Sequence, residues 1–451
     1  MDFNLTVDQI DMLIEKNEWG TLRSYLAEAN PVDIATLLQE LDNDKMLLVF
    51  RILPKDISAD VFSYMDPDQQ AHVVGSISNA EVRSLIDNLF LDDTVDFLEE
   101  MPANVVTKVL QNTNEATRKL INQFLNYPDN SAGSIMTIEF IQFRLGWTVR
   151  HAMDFLRANA TDSEMISTCY VTSEQRKLQG IVELRKLIMA EDDTIIDTIM
   201  EDAPLVVNTL DDQEYIASQA QKYDLISVPV TDNENRLVGI ITIDDIVDVM
   251  QDENTEDFEK MAAMQPSEDD YLKTGVFTLA KHRILWLLIL MISATFSGRI
   301  IQRYNGLLQQ AIILASFYPM LMDTGGNCGS QSSTMIIRGM ALGEIQWKDL
   351  FRVQWKEFRV GLIVGATLGA VNFVRVAYLE HAGATVAFVV SISLFCTVVL
   401  AKFIGCTLPM LAKKAKLDPA LMASPIITTI VDACALALYF FVASHMLNLT
   451  A

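Results

Sequence analysis

Cysteine and histidine are scarce in this chain. Cys169, Cys328, Cys396, Cys406 and Cys434 are the only cysteines, and there are five histidines in 451 residues. The cysteines form no CxxC pair and no metal-ligand spacing. This excludes a disulfide framework and a zinc centre and leaves small core residues. Basic residues are also few, 34 against 59 acidic ones. A chain with formal net charge −25 does not suit nucleic acid, itself a polyanion. No nucleophile–base spacing appears, so an enzyme is not expected. The opening MDFNLTVDQIDML has neither a basic n-region nor an apolar h-region, so no secretory signal is expected.

What is present is divided sharply. Residues 1–270 hold 52 of the acidic and 19 of the basic residues; residues 271–451 hold 7 and 15. An acidic, water-soluble half therefore precedes an apolar, mildly basic half, and the acidic half is expected in the cytosol. The length predicts more than one domain.

The second half reads as five apolar spans, near 283–302, 306–336, 359–379, 384–411 and 419–449. Each reaches the roughly 20 residues that cross a bilayer. With the N-terminus inside, Lys273, Lys281, Arg283, Arg338, Lys348, Arg352, Lys356, Arg359, Lys413, Lys414 and Lys416 fall on the inner side. Only Arg299, Arg303 and Arg375 fall outside, which places the C-terminus outside. Lys402, within the fourth span, is expected to snorkel inward. The expected partners are thus membrane lipid and no nucleic acid.

Asp432 is the only formal charge between Asp418 and Ala451. An intramembrane carboxylate marks an ion or proton path by default. Pro319, Pro409 and Pro425 are expected to interrupt the spans, and Pro425 to free the carbonyl of Leu421 near Thr428, Thr429 and Asp432. The second span carries Asp323, Thr324, Gly325, Gly326, Asn327, Gly329, Ser330, Gln331, Ser332, Ser333 and Thr334. Such a run cannot face lipid. It reads either as a pore lining or as helix-packing residues, the glycines in particular. All these groups are oxygen donors, which suit hard cations such as Mg²⁺ or Ca²⁺. A single carboxylate per subunit suits a cation that keeps most of its water.

Residues 1–130 read as short amphipathic helices punctuated by Pro54, Pro67 and Pro102, a small solenoid-like domain. Residues 136–200 and 201–250 read as two copies of one α/β unit. Leu178-Gln179-Gly180-Ile181-Val182 corresponds to Leu237-Val238-Gly239-Ile240-Ile241.

The run PMLMDTGGNCGSQSSTMIIRGMALGEI (319–345) resembles the second-span signature of the MgtE-type magnesium channels and transporters, and LDPALMASPIITTIVD (417–432) resembles that family's fifth-span signature. ISVPVTDNENRLVGIITIDDIVDVM (226–250) resembles the end of a CBS module. The resemblance departs at Met422-Ala423-Ser424, where many members have a small Ser-Gly pair, and at Cys328, where a small or β-branched residue is usual. It implies a multi-domain membrane protein: an all-α acidic domain (1–130), α/β tandem CBS modules (131–250), a connecting or plug helix (251–275) and a five-helix transmembrane domain (276–451).

It also implies a homodimer in the plasma membrane with one pore on the two-fold axis. Asp432, Thr428, Asn327, Gly325, Gly326 and Asp323 are then the expected pore residues. Asp92, Asp93 and Asp96 are expected to bind regulatory Mg²⁺ against the next domain, with Asp418 at the inner start of the fifth span. Asp244, Asp248, Asp252, Glu253, Glu256, Asp257 and Glu259, on the connecting helix, are expected near the pore's inner mouth. A solvated acidic face is the plainer reading of such runs. Thr242 and Asp245 form the T-x-x-D where CBS modules hold a ribose, so ATP is a candidate ligand there. The expected function is Mg²⁺ passage, shut off when cytosolic Mg²⁺ bridges opposed carboxylates. An H⁺- or Na⁺-coupled carrier and a membrane-tethered metal or nucleotide sensor are the alternatives. Mg²⁺, Mn²⁺, Co²⁺ and Ca²⁺ remain open.

Overall fold

The computed structural model describes residues 6–267, 271–272 and 274–447. Lys273, expected at the inner edge of the first span, lies outside them. The chain divides into two compact units, Met1–Met250 and Gln251–Ala451.

The first unit opens with ten short helices: α1 (Val7–Glu15), α2 (Trp19–Glu28), α3 (Pro31–Gln39), α4 (Asn43–Ile52), α5 (Lys55–Ser63), α6 (Pro67–Ser76), α7 (Asn79–Ile86), α8 (Leu91–Glu99), α9 (Ala103–Asn112) and α10 (Glu115–Phe124). Local chemistry sets their starts. Asn30, Asp42, Ser78 and Asn114 accept backbone N–H bonds as N-caps, and Ser78 with Glu81 completes a capping box. Pro54, Pro67 and Pro102 stand at helix starts, where a missing N–H costs nothing. The apolar faces meet in one core. Phe62 packs edge-on to Phe97 with centroids 5.0 Å apart. Lys108 Nζ donates to the carbonyls of Val74 and Ile77 at 2.6 and 2.9 Å, stitching α9 to the end of α6.

Two like sheets follow. The first contains β1 (Phe140–Arg144), β2 (Met165–Thr172) and β3 (Leu178–Glu183), with α11 (Val149–Asn159) and α12 (Leu184–Met189). The second contains β4 (Val207–Asn208), β5 (Ser227–Thr231) and β6 (Leu237–Thr242), with α13 (Gln213–Tyr223). Each sheet pairs its first two strands parallel and its last two antiparallel. Each has an irregularity at matching places, Val171/Thr172 and Val230/Thr231. Gly180 pairs with Val171 as Gly239 pairs with Val230, so the two Gly-centred runs are structural equivalents.

The helix expected over 251–275 begins earlier. α14 runs Ile243–Met261, straight out of β6, and ends before the Pro266 region. The acidic residues of 244–259 therefore lie on one continuous helix.

The second unit holds α15 (Val276–Arg303), the short α16 (Asn305–Gln310), α17 (Tyr318–Ala341), α18 (Leu350–Val374, prolonged by a π turn over Arg375–Leu379), α19 (Ala384–Lys414) and α20 (Ser424–Met446). Among the described residues, four stretches are long and apolar enough to cross a membrane: Val276–Arg303, Trp347–Leu379, Ala384–Lys414 and Pro419–Met446. α17, at 24 residues, has the length, but its polar run lowers its hydropathy. α19 is the central helix, packed on α17, α18 and α20; α15 touches mainly α20 and is almost wholly exposed.

Three expectations are corrected here. The span placed at 306–336 is broken at 311–317 and restarts at Tyr318. Arg352, Lys356 and Arg359 lie within α18, not in a connection before it. Of the three prolines, only Pro409 is inside a helix. Pro319 and Pro425 sit in first turns, so neither breaks a helical bond, and Pro425 does not release the Leu421 carbonyl into α20.

Candidate metal sites and ion path

In the first unit, three carboxylates converge. Asp92 on α8, Glu164 before β2 and Asp245 on α14 each place an oxygen within 4.8 Å of the other two. Asp92 is 6 % exposed. Glu164 Oε2 is buried without a hydrogen-bond partner, while Glu164 Oε1 accepts from Thr242 Oγ1 at 3.3 Å. Among the described residues no Lys or Arg forms an ion pair with Asp92, Glu164 or Asp245. Burial, then the charges of Glu164, Asp93 and Asp245, holds the Asp92 carboxyl well above its usual range. Burial pushes Glu164 up to about 7, with Asp245 and Asp244 adding repulsion. Asp245 itself is raised to about 6, chiefly by burial.

Asp93 and Asp96 flank the cluster. Burial and the Asp245 charge raise Asp93 to about 6 and Asp96 to about 7. Crowded, desolvated carboxylates need protons or a cation, and an all-oxygen donor set suits Mg²⁺ or Ca²⁺. Asp244 is exposed beside them, and Asp248 is raised by partial burial and by Asp244. Glu164 was not legible as a site residue. It lies in a loop of the first repeat, with no local motif to flag it.

The structure places Thr242 and Asp245, the residues expected at a ribose, side by side at the junction of β6 and α14. Thr242 Oγ1 donates to Asp245 Oδ2 at 2.7 Å, and both face Glu164. A cavity of about 860 Å³ lies elsewhere in this unit, between the two repeats, walled by residues that include Tyr170, Glu183, Arg185, Glu201, Asp202 and Asp224. Neither Thr242 nor Asp245 lines it.

In the second unit, α14 and the start of α20 are joined. Lys260 Nζ lies 2.7 Å from Asp418 Oδ2 and also pairs with Glu256. Burial and the Asp418 charge raise the Asp257 carboxyl. Asp418 caps the turn Pro419–Met422 by accepting from Ala420 N–H at 2.8 Å. Glu259 accepts from Ser267 N–H at 2.8 Å. Asp252 is exposed and Glu253 half-buried, both engaged in interactions of their own.

The polar run of α17 divides between two faces. Asp323, Asn327, Gln331 and Thr334 recur at helical spacing and are exposed. Gly325, Gly326, Ser332 and Ser333 are buried. The two glycines, expected beside the ion, stand instead at the contact with neighbouring helices. A Cβ on Gly326 would come within 2.9 Å of Thr428 Cγ2, and one on Gly325 within 2.8 Å of Thr397 Cγ2. Their lack of a side chain lets α20 lie close against α17. Thr428 and Thr429 both donate to the Pro425 carbonyl, leaving their lone pairs as acceptors. Half-buried Asp432 follows one turn after Thr428, and the charged group that acts on it is Asp323. Ser330 Oγ donates to Ser424 Oγ at 3.0 Å and Ser333 Oγ to the Met422 carbonyl at 2.8 Å, fixing α17 to the start of α20.

Lys402 does not snorkel. It is 5 % exposed, inside the packing of α19. On the neighbouring α18, Glu357 accepts from Ser332 Oγ at 2.6 Å. Neither charge was legible as part of the interior.

Fold and sites together define a multi-pass membrane protein with an acidic soluble unit. Comparison with known proteins agrees. Residues 318–442 match the MgtE divalent cation transporter family, 29–130 the MgtE intracellular N domain and 196–252 the CBS domain. The chain is 34% identical over 439 residues to the magnesium transporter MgtE of Thermus thermophilus, covering 96% of this chain and 97% of that one. It is 30% identical over 449 residues to the MgtE of Bacillus subtilis, covering 99% of each. Among solved structures, the cytosolic domain of the Mg²⁺ channel MgtE in complex with ATP superposes with a TM-score of 0.51 at 34% identity, covering 53% of this chain and 98% of that one. The soluble part of a magnesium transporter superposes with a TM-score of 0.52 at 29% identity, covering 54% and 96%. The chain belongs to the MgtE family of divalent cation transporters.

Proposed function

We propose that this protein carries Mg²⁺ across the plasma membrane as a channel, and that Mg²⁺ on the cytosolic side shuts it. One observation carries the reading. Asp323, Asn327 and Gln331 form an exposed polar face on a helix of the membrane unit, and Asp432 with Thr428 stands on the helix packed beside it. Lipid cannot cover such a face. A second copy of the chain, applying the same face across a two-fold axis, would enclose a wet path with paired carboxylates. Mg²⁺ dehydrates reluctantly, so it would pass largely hydrated, held through outer-shell hydrogen bonds. The basic residues favour the N-terminus inside and the C-terminus outside.

Regulation rests on the first unit. Mg²⁺ at Asp92, Glu164 and Asp245, with Asp93 and Asp96 around them, would replace the protons these groups otherwise need. Ligands that bind one state alone shift an equilibrium by RT ln(1 + [L]/Kd) each, so two or three sites filled tenfold above Kd supply about 3–4 kcal/mol.

The volume and partly apolar walls of the 860 Å³ cavity suit a nucleoside. Its charges do not suit a free triphosphate. Glu183 is paired with Arg185 at 2.8 Å and Glu201 with Lys186, so Asp202 and Asp224 leave the walls acidic.

The test is Mg²⁺ uptake into proteoliposomes with wild type and Asp432→Ala. The variant should remain a folded dimer and lose flux. Unchanged uptake refutes the path. Ohmic single-channel currents support a channel, and a strict proton or Na⁺ requirement would establish the coupled carrier instead.

A further inference from the structure

α15 ends with two arginines one turn apart. Arg299 and Arg303, at i and i+4, project from the same side of the helix, and Arg303 occupies its last turn. Both line a groove of about 700 Å³ between α15 and α20. The rest of the groove is mostly apolar, with Phe296 and Ile300 on one wall and Ile430 and Ala433 on the other.

Among the described residues neither arginine has an ion-pair partner. Glu380, the acidic residue of the segment after α18, is engaged by Arg375 at 3.5 Å. Asp432 belongs to the turn of α20 that lines the groove, yet the charge that acts on it is Asp323 and neither arginine. Two exposed guanidiniums on one side of a membrane-helix end present a paired donor set, and guanidiniums match phosphate in a forked geometry. An apolar groove running from those cations suits an acyl chain.

We propose that this groove is a binding site for an anionic phospholipid, with the headgroup phosphate on Arg299 and Arg303 and an acyl chain between α15 and α20. The inference rests on the reading of the second unit as membrane-embedded. Thr429 and Ala433, which flank Asp432 on α20, are also groove residues. A bound lipid therefore presses on the helix turn that presents the ion-path carboxylate, and flux should depend on it.

The test uses the full chain, purified in detergent and returned to vesicles. Native mass spectrometry after washing should show phosphatidylglycerol retained by wild type over phosphatidylcholine. Mg²⁺ flux should rise at least threefold as phosphatidylglycerol replaces phosphatidylcholine. Arg299→Gln/Arg303→Gln should lose both the retained lipid and the response while keeping its flux in phosphatidylcholine. Arg299→Lys/Arg303→Lys should keep a weakened response and covers the case in which the neutral variant does not fold. Equal retention by the neutral variant and wild type overturns the proposal, as does no retention by either. Full displacement by soluble glycerol phosphate overturns it in favour of a free anion. Conversion of dimer to monomer by the neutral variant overturns it in favour of a second copy as occupant. Absence of flux in every lipid counts against the channel reading alone, because the retention measurement stands apart from it.

Discussion

Lys260 Nζ lies 2.7 Å from Asp418 Oδ2 and binds the two ends of a polar cluster within the second unit. Lys260 ends the acidic face of α14, and Asp418 caps the turn that leads into α20, the helix of Asp432. Glu256 and Asp257 crowd the same ammonium. Lys260 thus stands where a divalent cation would otherwise satisfy three carboxylates.

Removing that tethered cation should strengthen metal binding there. In Lys260→Met, Glu256, Asp257 and Asp418 lose the ammonium that competes with a divalent cation for their oxygens; they also become easier to protonate, but at neutral pH a divalent cation outcompetes protons for such a cluster. We expect the internal Mg²⁺ that half-closes the path to fall at least threefold. Flux measured against internal Mg²⁺ in proteoliposomes decides it; a rise in the required Mg²⁺ would mean that Lys260 itself maintains the closed state.

The cluster of Asp92, Glu164 and Asp245 predicts a pair of opposite effects from one substitution. Asp92→Asn or Asp245→Asn removes a desolvated, repelling carboxylate, so the metal-free protein should melt higher than wild type. It also removes a ligand, so added Mg²⁺ should raise the melting temperature by less than half the wild-type increment. Thermal unfolding of the full chain, with EDTA and then with Mg²⁺, reads both. Variants that melt lower without metal and respond fully to Mg²⁺ would show that the three carboxylates are a structural arrangement and no metal site.

Stability should also fall as pH rises when metal is withheld. Asp96 and Glu164 are raised to about 7 in the folded protein, and Asp93 and Asp245 to about 6, chiefly by burial. Their ordinary values are 3.8 for Asp and 4.5 for Glu. Between those values and about pH 7 the folded state binds more protons than the unfolded state. Folding is therefore favoured at the acid end of that window and weakened as pH climbs through it. In EDTA the first unit should melt higher at pH 5.5 than at pH 8, and Mg²⁺ should restore the loss at pH 8. A melting temperature that rises with pH over this range contradicts the assignment.

How far these sites could be seen in advance depended on where their chemistry resides. Asp432 and Asn327 stood out in the sequence because a polar group in an apolar run has few bland explanations, and the structure puts them on adjacent, packed helices. The repeat was legible through its two Gly-centred strands, which the sheets pair identically. Pro425 was misread because sequence alone does not separate a helix interior from a first turn; the preceding turn Pro419–Met422 decides the matter. Thr242 and Asp245 were picked out by a local motif alone; that Glu164, 78 positions away from Thr242, stands beside them is a product of tertiary packing. Gly325 and Gly326 share their segment with Asn327 yet point the other way, a consequence of helical periodicity within one polar run.

Lys402 gives the last prediction. It is 5 % exposed on the central helix α19, where an uncompensated ammonium is costly. It forms no direct ion pair among the described residues, but Glu357 shares its surroundings: both charges act on the Cys406 thiol. Glu357 in turn accepts from Ser332 on the buried face of α17, the face opposite Asp323 and Asn327. We expect Lys402 to offset this carboxylate through space, and the Glu357–Ser332 bond to fix the rotation of α17. Lys402→Met should leave Glu357 without its counter-charge and destabilise the membrane unit by about 2 kcal/mol, a typical cost of upsetting a buried polar network. Glu357→Gln alone should also destabilise, because it strands the ammonium. The double variant Lys402→Met/Glu357→Gln keeps the Ser332 bond to an amide oxygen and strands no charge, so it should recover most of the loss. Thermal unfolding of all four proteins in detergent forms the double-mutant cycle. Additive losses in the double variant would show that the two charges are independent and that Lys402 owes its place to something else.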